Sequence, residues 1–129
     1  MKKSLPILLT LLLLSGCQSG AGIDMNQVTE KEKGAVESLL WLQSADATKD
    51  AQQGLERGDK RLLAMATRGG HLPGIEPAMA SKAKSICGVR YLPGSTDTVL
   101  GKTHLQLLQA AESYAADYNR IMIDHCLQE

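Results

Sequence analysis

The segment KTHLQLLQAAESYAADYNRIMIDHCL (residues 102–127) decides the fold. Leu105, Leu108, Ala111, Ala115, Tyr118 and Met122 recur at helical spacing, and Leu107, Tyr114 and Ile121 widen the stripe. The segment predicts one long amphipathic helix from Lys102 to about Leu127, whose apolar face must be covered by other elements.

Upstream, the same reading finds shorter helices. Thr29-Glu30-Lys31-Glu32 has the form of a capping box, a hydroxyl followed three residues later by a carboxylate. Val36, Leu39, Leu40 and Leu42 then form an apolar stripe, with Trp41 at the edge of the core. Ala47, Ala51 and Leu55 carry a second helix. Gly58 breaks it, and Asp59 is a candidate cap for a short helix holding Leu62, Leu63 and Met65, closed by Gly69-Gly70. His71-Leu72-Pro73-Gly74 reads as a turn. Glu76-Pro77 starts another helix, because proline suits the first helical position. Met79, Ala83 and Ile86 would share its inner face, and Gly88 would stop it. Residues 88–101 form an irregular loop with a short extended segment at Val89–Leu92. The expected fold is all-α: a small bundle of four or five helices.

Composition agrees. The chain of 129 residues has no Phe and one Trp, so its core must be built from Leu, Ala, Met, Ile and Val. Small apolar residues suit close helix packing better than a β-sandwich. Fourteen basic residues face fourteen acidic ones. With no basic stripe to displace counterions, nucleic acid is not expected as a partner.

The N-terminus carries the one specific motif. Met1-Lys2-Lys3 is cationic, and the apolar run from Leu5 to Leu14 is about half the roughly 20 residues a membrane-spanning helix needs. The run ends in Leu14-Ser15-Gly16-Cys17, which resembles the lipobox of bacterial lipoproteins. Small residues at Ser15 and Gly16 suit a membrane peptidase, and the Cys17 thiol is the nucleophile that would take the diacylglycerol. The resemblance implies a signal peptide over 1–16, cleavage before Cys17 and palmitate-type acylation. Beyond it, Gln18-Ser19-Gly20-Ala21-Gly22 is small, polar and without periodicity, so residues 17–28 read as the lipidated N-terminus and a flexible tether, ahead of a helical periplasmic domain over 29–129. Gln18 and Ser19 follow the cysteine in place of an aspartate, which by the same resemblance favours the outer membrane's periplasmic face over the inner membrane. The competing reading is an ordinary signal cleaved near Gly20-Ala21.

With Cys17 assigned to lipid, Cys87 and Cys126 remain. In an oxidising compartment two such thiols are expected to pair. The alternatives are two free buried thiols or a metal site. A metal site would draw on His71, His104, His125, Cys87 and Cys126, but the spacing matches no compact zinc motif. His125 and Cys126 also diverge by about 100° as helix neighbours. No metal or other cofactor is expected. For nucleophilic catalysis, Ser95 and Asp97 with His71 or His104 form the only combination to weigh. No nucleophile elbow accompanies it, and Ser95-Thr96-Asp97 reads as turn and capping chemistry. The chain is read as a non-enzyme.

Candidate binding loops remain. Gly69 to Ile75 and Val89 to Gly94 each contain Leu-Pro-Gly, and loops on a rigid scaffold are common binding sites. Their candidate contact residues are His71, Leu72, Ile75, Tyr91 and Leu92. The competing reading tucks Leu72, Ile75, Tyr91 and Leu92 into the core. The expected role is a lipid-anchored envelope protein that binds another protein, as assembly, secretion-pilot and immunity or exclusion lipoproteins do. The alternative is a binder of a small envelope ligand, a lipid or peptidoglycan fragment, in a pocket between helices. A hydrolase ranks below both.

Overall fold

The computed structural model describes residues 23–66, 69–96 and 98–128. The expected signal peptide, the expected lipidation site Cys17 and Asp97 lie outside the described residues. The chain forms helices α1 (Lys33–Glu37), α2 (Ala47–Glu56), α3 (Pro77–Cys87) and α4 (Lys102–Cys126). Two 3-10 turns, Met25–Gln27 and Leu40–Ser44, and two short strands, β1 (Leu62–Ala64) and β2 (Val89–Tyr91), complete it. The fold is a small, mostly helical one, as expected. Among the described residues, no helix is long and apolar enough to cross a membrane.

α4 is the axis of the domain, about 37 Å long at 1.5 Å per residue. Its buried face is His104, Leu107, Leu108, Ala111, Ala115, Tyr118, Asn119, Met122 and Cys126. That face is turned from the expected stripe at its start: Leu105 is 42% exposed, and Leu107 takes the inner position. α2 lies along α4. Asp46 caps α2 by accepting from the Lys49 N–H at 3.1 Å. Gly54 lets the helices approach, since a Cβ there would sit 3.0 Å from the Tyr118 hydroxyl and 3.4 Å from Met122.

The capping box forms as a reciprocal pair. Glu32 Oε2 accepts from the Thr29 N–H at 3.0 Å, and Thr29 Oγ1 accepts from the Glu32 N–H at 3.4 Å. The domain starts earlier than expected. Residues 23–28, assigned to a flexible tether, include a 3-10 turn, and Ile23 and Val28 pack against the core. Trp41 does mark a core edge: half-buried, it meets Tyr114 edge-to-face at 5.3 Å and donates from Nε1 to the Pro93 carbonyl at 3.2 Å.

The short helix expected at Leu62–Met65 is instead a strand. β1 pairs in parallel with β2, Leu62 opposite Val89 and Ala64 opposite Tyr91, with α3 as the crossover between them. Four consecutive residues, Leu62 to Met65, are buried. One turn of helix at the edge of a bundle cannot bury every side chain, whereas a strand covered on both faces does. Asp59 does not cap a helix; its carboxylate accepts from the N–H and guanidinium of Arg61. That guanidinium holds the Asp59 carboxyl down at about 2.

Leu62 and Ala64 bond toward β2, through Leu62 N–H to Gly88 O and Leu92 N–H to Ala64 O. In a strand the residue between them turns its backbone groups to the other edge. There, the Asn119 side chain replaces a third strand. Its Oδ1 accepts from the Leu63 N–H at 2.7 Å, and its Nδ2 donates to the Leu63 carbonyl at 2.9 Å and the Pro73 carbonyl at 2.8 Å. Asn119 is wholly buried, so one polar side chain on α4 satisfies three backbone groups of the β1 region.

α3 begins with Glu76 and Pro77 as read, and Gly88 at φ +75° ends it. Its inner face carries Ala80, Ala83 and Cys87, not Met79, Ala83 and Ile86. Met79 and Ile86 face outward, 38% and 51% exposed. The expected Cys87–Cys126 disulfide joins the ends of α3 and α4, with Cα atoms 5.5 Å apart.

Both Leu-Pro-Gly segments are packing turns. Leu72 and Leu92 are buried, and the two proline carbonyls accept from Asn119 and Trp41. Gly74, at φ +79°, lies against α4, where a Cβ would come within 2.6 Å of the Ala116 carbonyl oxygen. Gly94, at φ +82°, meets the Ser38 carbonyl at 2.7 Å in the same way. Gly74→Ala therefore adds left-handed strain to a backbone overlap and is expected to cost about 2 kcal/mol or more. The urea midpoint reads this; an unchanged midpoint would contradict the packing.

Candidate functional site

The five candidate loop residues separate into four settings. Leu72 and Leu92 complete the core. Tyr91 is 56% exposed, and its hydroxyl lies over Gly70, where an added Cβ would meet it at 2.7 Å. This brings the two loops together beside the Lys84 ammonium. His71 is half-buried, its Nε2 3.4 Å from a Glu112 carboxylate oxygen. Ile75, also half-buried, opens onto a different feature.

That feature is a groove between the start of α3 and the end of α4, about 340 Å³ in volume. Ile75 and Met79 form one wall, and Ile123 and Leu127 the other. Glu76 and Asp124 stand among them, one on each wall. Pro77 sets the direction of α3 just after Glu76, and the Cys87–Cys126 bond joins the other end of α3 to the last turn of α4. Glu76 occupies the N-cap of α3 without making a side-chain cap hydrogen bond. Asp124 sits in the last turn of α4, beside carbonyls whose partial charge disfavours a carboxylate. The arrangement offers a mainly apolar lining with a carboxylate on each wall.

A second polar cluster is structural. Glu32 is buried, and its Oε1 accepts from the His104 N–H at 2.9 Å, so α1 caps the start of α4 across the chain. The carboxylate lies directly on Gly101, where any side chain would displace it. The N–H groups of His104 and then Thr29 hold the Glu32 carboxyl below its usual range. His104 is buried beside it. Its Nδ1 accepts from the Leu100 N–H at 3.0 Å, which places the ring proton on Nε2, and Nε2 has no partner among the described residues. Burial lowers the His104 pKa, against the pull of the Glu32 charge.

Both shifts have the same sign for stability. Each group releases its proton more readily folded than unfolded. Stability from His104 is full above about pH 6.5 and declines as pH falls below it. Stability from Glu32 is full above about pH 4.5 and is lost as pH falls through its lowered folded value. Thermal unfolding should therefore soften in two stages on acidification. His104→Asn, which keeps an acceptor near Nδ1, should remove the stage just below pH 6.5 and leave the lower one. Identical pH profiles for variant and wild type would refute the assignment.

Of the residues weighed for catalysis, Ser95, His71 and His104 each face another group. Ser95 Oγ donates to the Leu92 carbonyl at 3.0 Å and accepts from the Ala66 N–H at 3.3 Å, closing its turn. His104 is taken by Leu100, and His71 faces Glu112. The cysteines proposed as metal ligands are joined to each other. Among the described residues, no three His, Cys, Asp or Glu side chains converge as a metal site.

Of the groove, sequence reasoning reached only Ile75. Periodicity turns Met79 inward, Glu76 reads as a helix start, and Ile123 and Asp124 carry no role in the sequence. Asp124 in a final helical turn is the one signal that could have raised attention. Compared with protein-family models, curated proteins and solved structures, the chain matches none.

Proposed function

We propose that the chain is a lipid-anchored protein of the bacterial cell envelope whose helical domain works by binding another protein. Three features support the reading. The leader and Leu14-Ser15-Gly16-Cys17 resemble a lipoprotein signal. The Cys87–Cys126 bond accounts for two of the three cysteines, which leaves Cys17 for the lipid; this observation carries the proposal. The domain that follows is small and stapled, and it carries an apolar groove on its surface. Several acyl chains at about 0.8 kcal/mol per buried methylene would hold it at a membrane without any membrane-binding face. The periplasmic face of the outer membrane is the expected location.

Labelled palmitate tests the anchor. The wild type should take up label, Cys17→Ser should not, and globomycin should cause the unprocessed form to accumulate. A wild type that stays unlabelled would overturn the proposal. A small envelope ligand, lipid or peptidoglycan fragment, is the second reading, favoured only by the same groove.

A further inference from the structure

We infer that the α3–α4 groove is the docking site for a partner protein segment presenting an apolar side chain flanked by lysine or arginine. This rests on the protein-binding reading above and gives it a place and a chemistry.

Two independent properties of the groove carry the inference. The first is shape and polarity. At about 340 Å³ it lies at the small end of the roughly 300–1,000 Å³ typical of ligand pockets, enough for one or two side chains. Its floor is made by side chains that could have faced inward. α3 turns Ala80, Ala83 and Cys87 to the core and leaves Met79 outside, 38% exposed, against Ile123. A flexible thioether in such a floor adapts to a partner's side chain.

The second property is charge. Glu76 and Asp124 stand on opposite walls, and neither carboxylate has a hydrogen bond or ion pair among the described residues. Among the described residues that line the groove, none is basic. Asp124 adds to the negative end of the α4 dipole where a cation would be favoured. Both charges are therefore unspent. A cationic residue on either side of the inserted apolar group would meet one of them, which suits steering and register. The disulfide joins the other end of α3 to the last turn of α4, which limits how far the two helices can part on binding.

The test uses the full chain in phosphatidylcholine nanodiscs, with methionine and isoleucine methyl groups labelled for NMR. The probe is a hexapeptide of two leucines flanked by lysines. The Met79, Ile75 and Ile123 methyls should shift on titration, while Met65 in the core and Ile86, about two turns further along α3 and outside the groove lining, should not. The doubly neutralised Glu76→Gln, Asp124→Asn variant should bind about tenfold more weakly, as should raised salt. Its unshifted Met65 signal would establish that it is folded. A matching peptide with glutamates for lysines, or glycines for leucines, should leave the three methyls unmoved.

Equal shifts with the acidic or leucine-free peptide, or an unchanged affinity in the variant, would overturn the inference. So would movement of the same methyls on concentrating the protein alone or on adding dihexanoyl phosphatidylcholine, which would give the groove to a second copy or to lipid. A chain that fails to associate with nanodiscs would contradict the lipid anchor, and the titration would then proceed in solution. The two failures are thus separable.

Discussion

Asn119→Leu should lower the unfolding free energy by on the order of 4 kcal/mol. The replacement has the same branched set of four side-chain heavy atoms, but its methyl groups are bulkier, so overpacking adds to the main loss. The main loss comes from three buried backbone groups, the N–H and carbonyl of Leu63 and the carbonyl of Pro73, that lose their partner at once. Each unsatisfied buried group costs about 1–3 kcal/mol. Domains of this size have roughly 5–15 kcal/mol in total, so the variant would sit near the unfolding threshold. Urea unfolding measures the difference, and the Leu63 amide should lose its protection from hydrogen exchange.

Asn119→Asp gives a readout if Asn119→Leu does not fold. The carboxylate still accepts from Leu63 N–H but faces two carbonyl oxygens with nothing to donate. Burial and those oxygens raise its pKa. Its folded value then exceeds the unfolded one, so the variant is more stable in acid and loses stability as pH rises. The wild type slopes the other way. Parallel pH slopes for the two proteins would mean that Asn119 does not bridge β1 and the Pro73 turn.

The second large effect belongs to the disulfide. Cys87 and Cys126 are 39 residues apart, and closing that loop should restrict the unfolded chain by about 4 kcal/mol. A Cys87→Ala, Cys126→Ala chain, or the reduced wild type, should therefore melt far below the oxidised protein. The loss should be concentrated at one place. α3 touches the rest of the core mainly through Ala80, Ala83 and Cys87, a narrow face of small side chains. Without the bond, exchange protection along α3 should fall before that of α2 and the centre of α4. An oxidised and a reduced protein with the same melting temperature would contradict this.

What could be read from the chain follows from how local each cause is. The α4 helix, the Thr29–Glu32 capping box and the Pro77 start are set within one or two turns of sequence, and each is where its residues place it. The inner face of α4 was misjudged at Leu105 because a stripe broadened by Leu107 leaves its centre undetermined to about one residue. His104 and Asn119 were omitted from the core because polar side chains enter it only when partners exist. Those partners, Glu32 and Leu63, lie 72 and 56 residues away. β1 was taken for a helical turn because an apolar run of four fits either; β2, across the α3 crossover, makes it a strand.

The groove was illegible for a related reason. Its floor depends on the rotation of α3, and Ala80, Ala83 and Cys87 define that rotation only once Cys87 is bonded to Cys126. Met79 and Ile86 are the more hydrophobic residues, so periodicity alone turns the helix the wrong way. The paired Leu-Pro-Gly segments misled in the opposite direction. They look like spare binding loops, but Asn119, Trp41, Ala116 and Ser38 use them as docking turns.

The intact mass of the mature protein, taken from membranes before and after reduction, tests the central claim most directly. The account predicts a chain that begins at acylated Cys17, has no free thiol as isolated and gains two hydrogens on reduction. An unacylated chain beginning near Ala21, or one in which Cys17 is bonded to Cys87 or Cys126 and a thiol is left free, would contradict it.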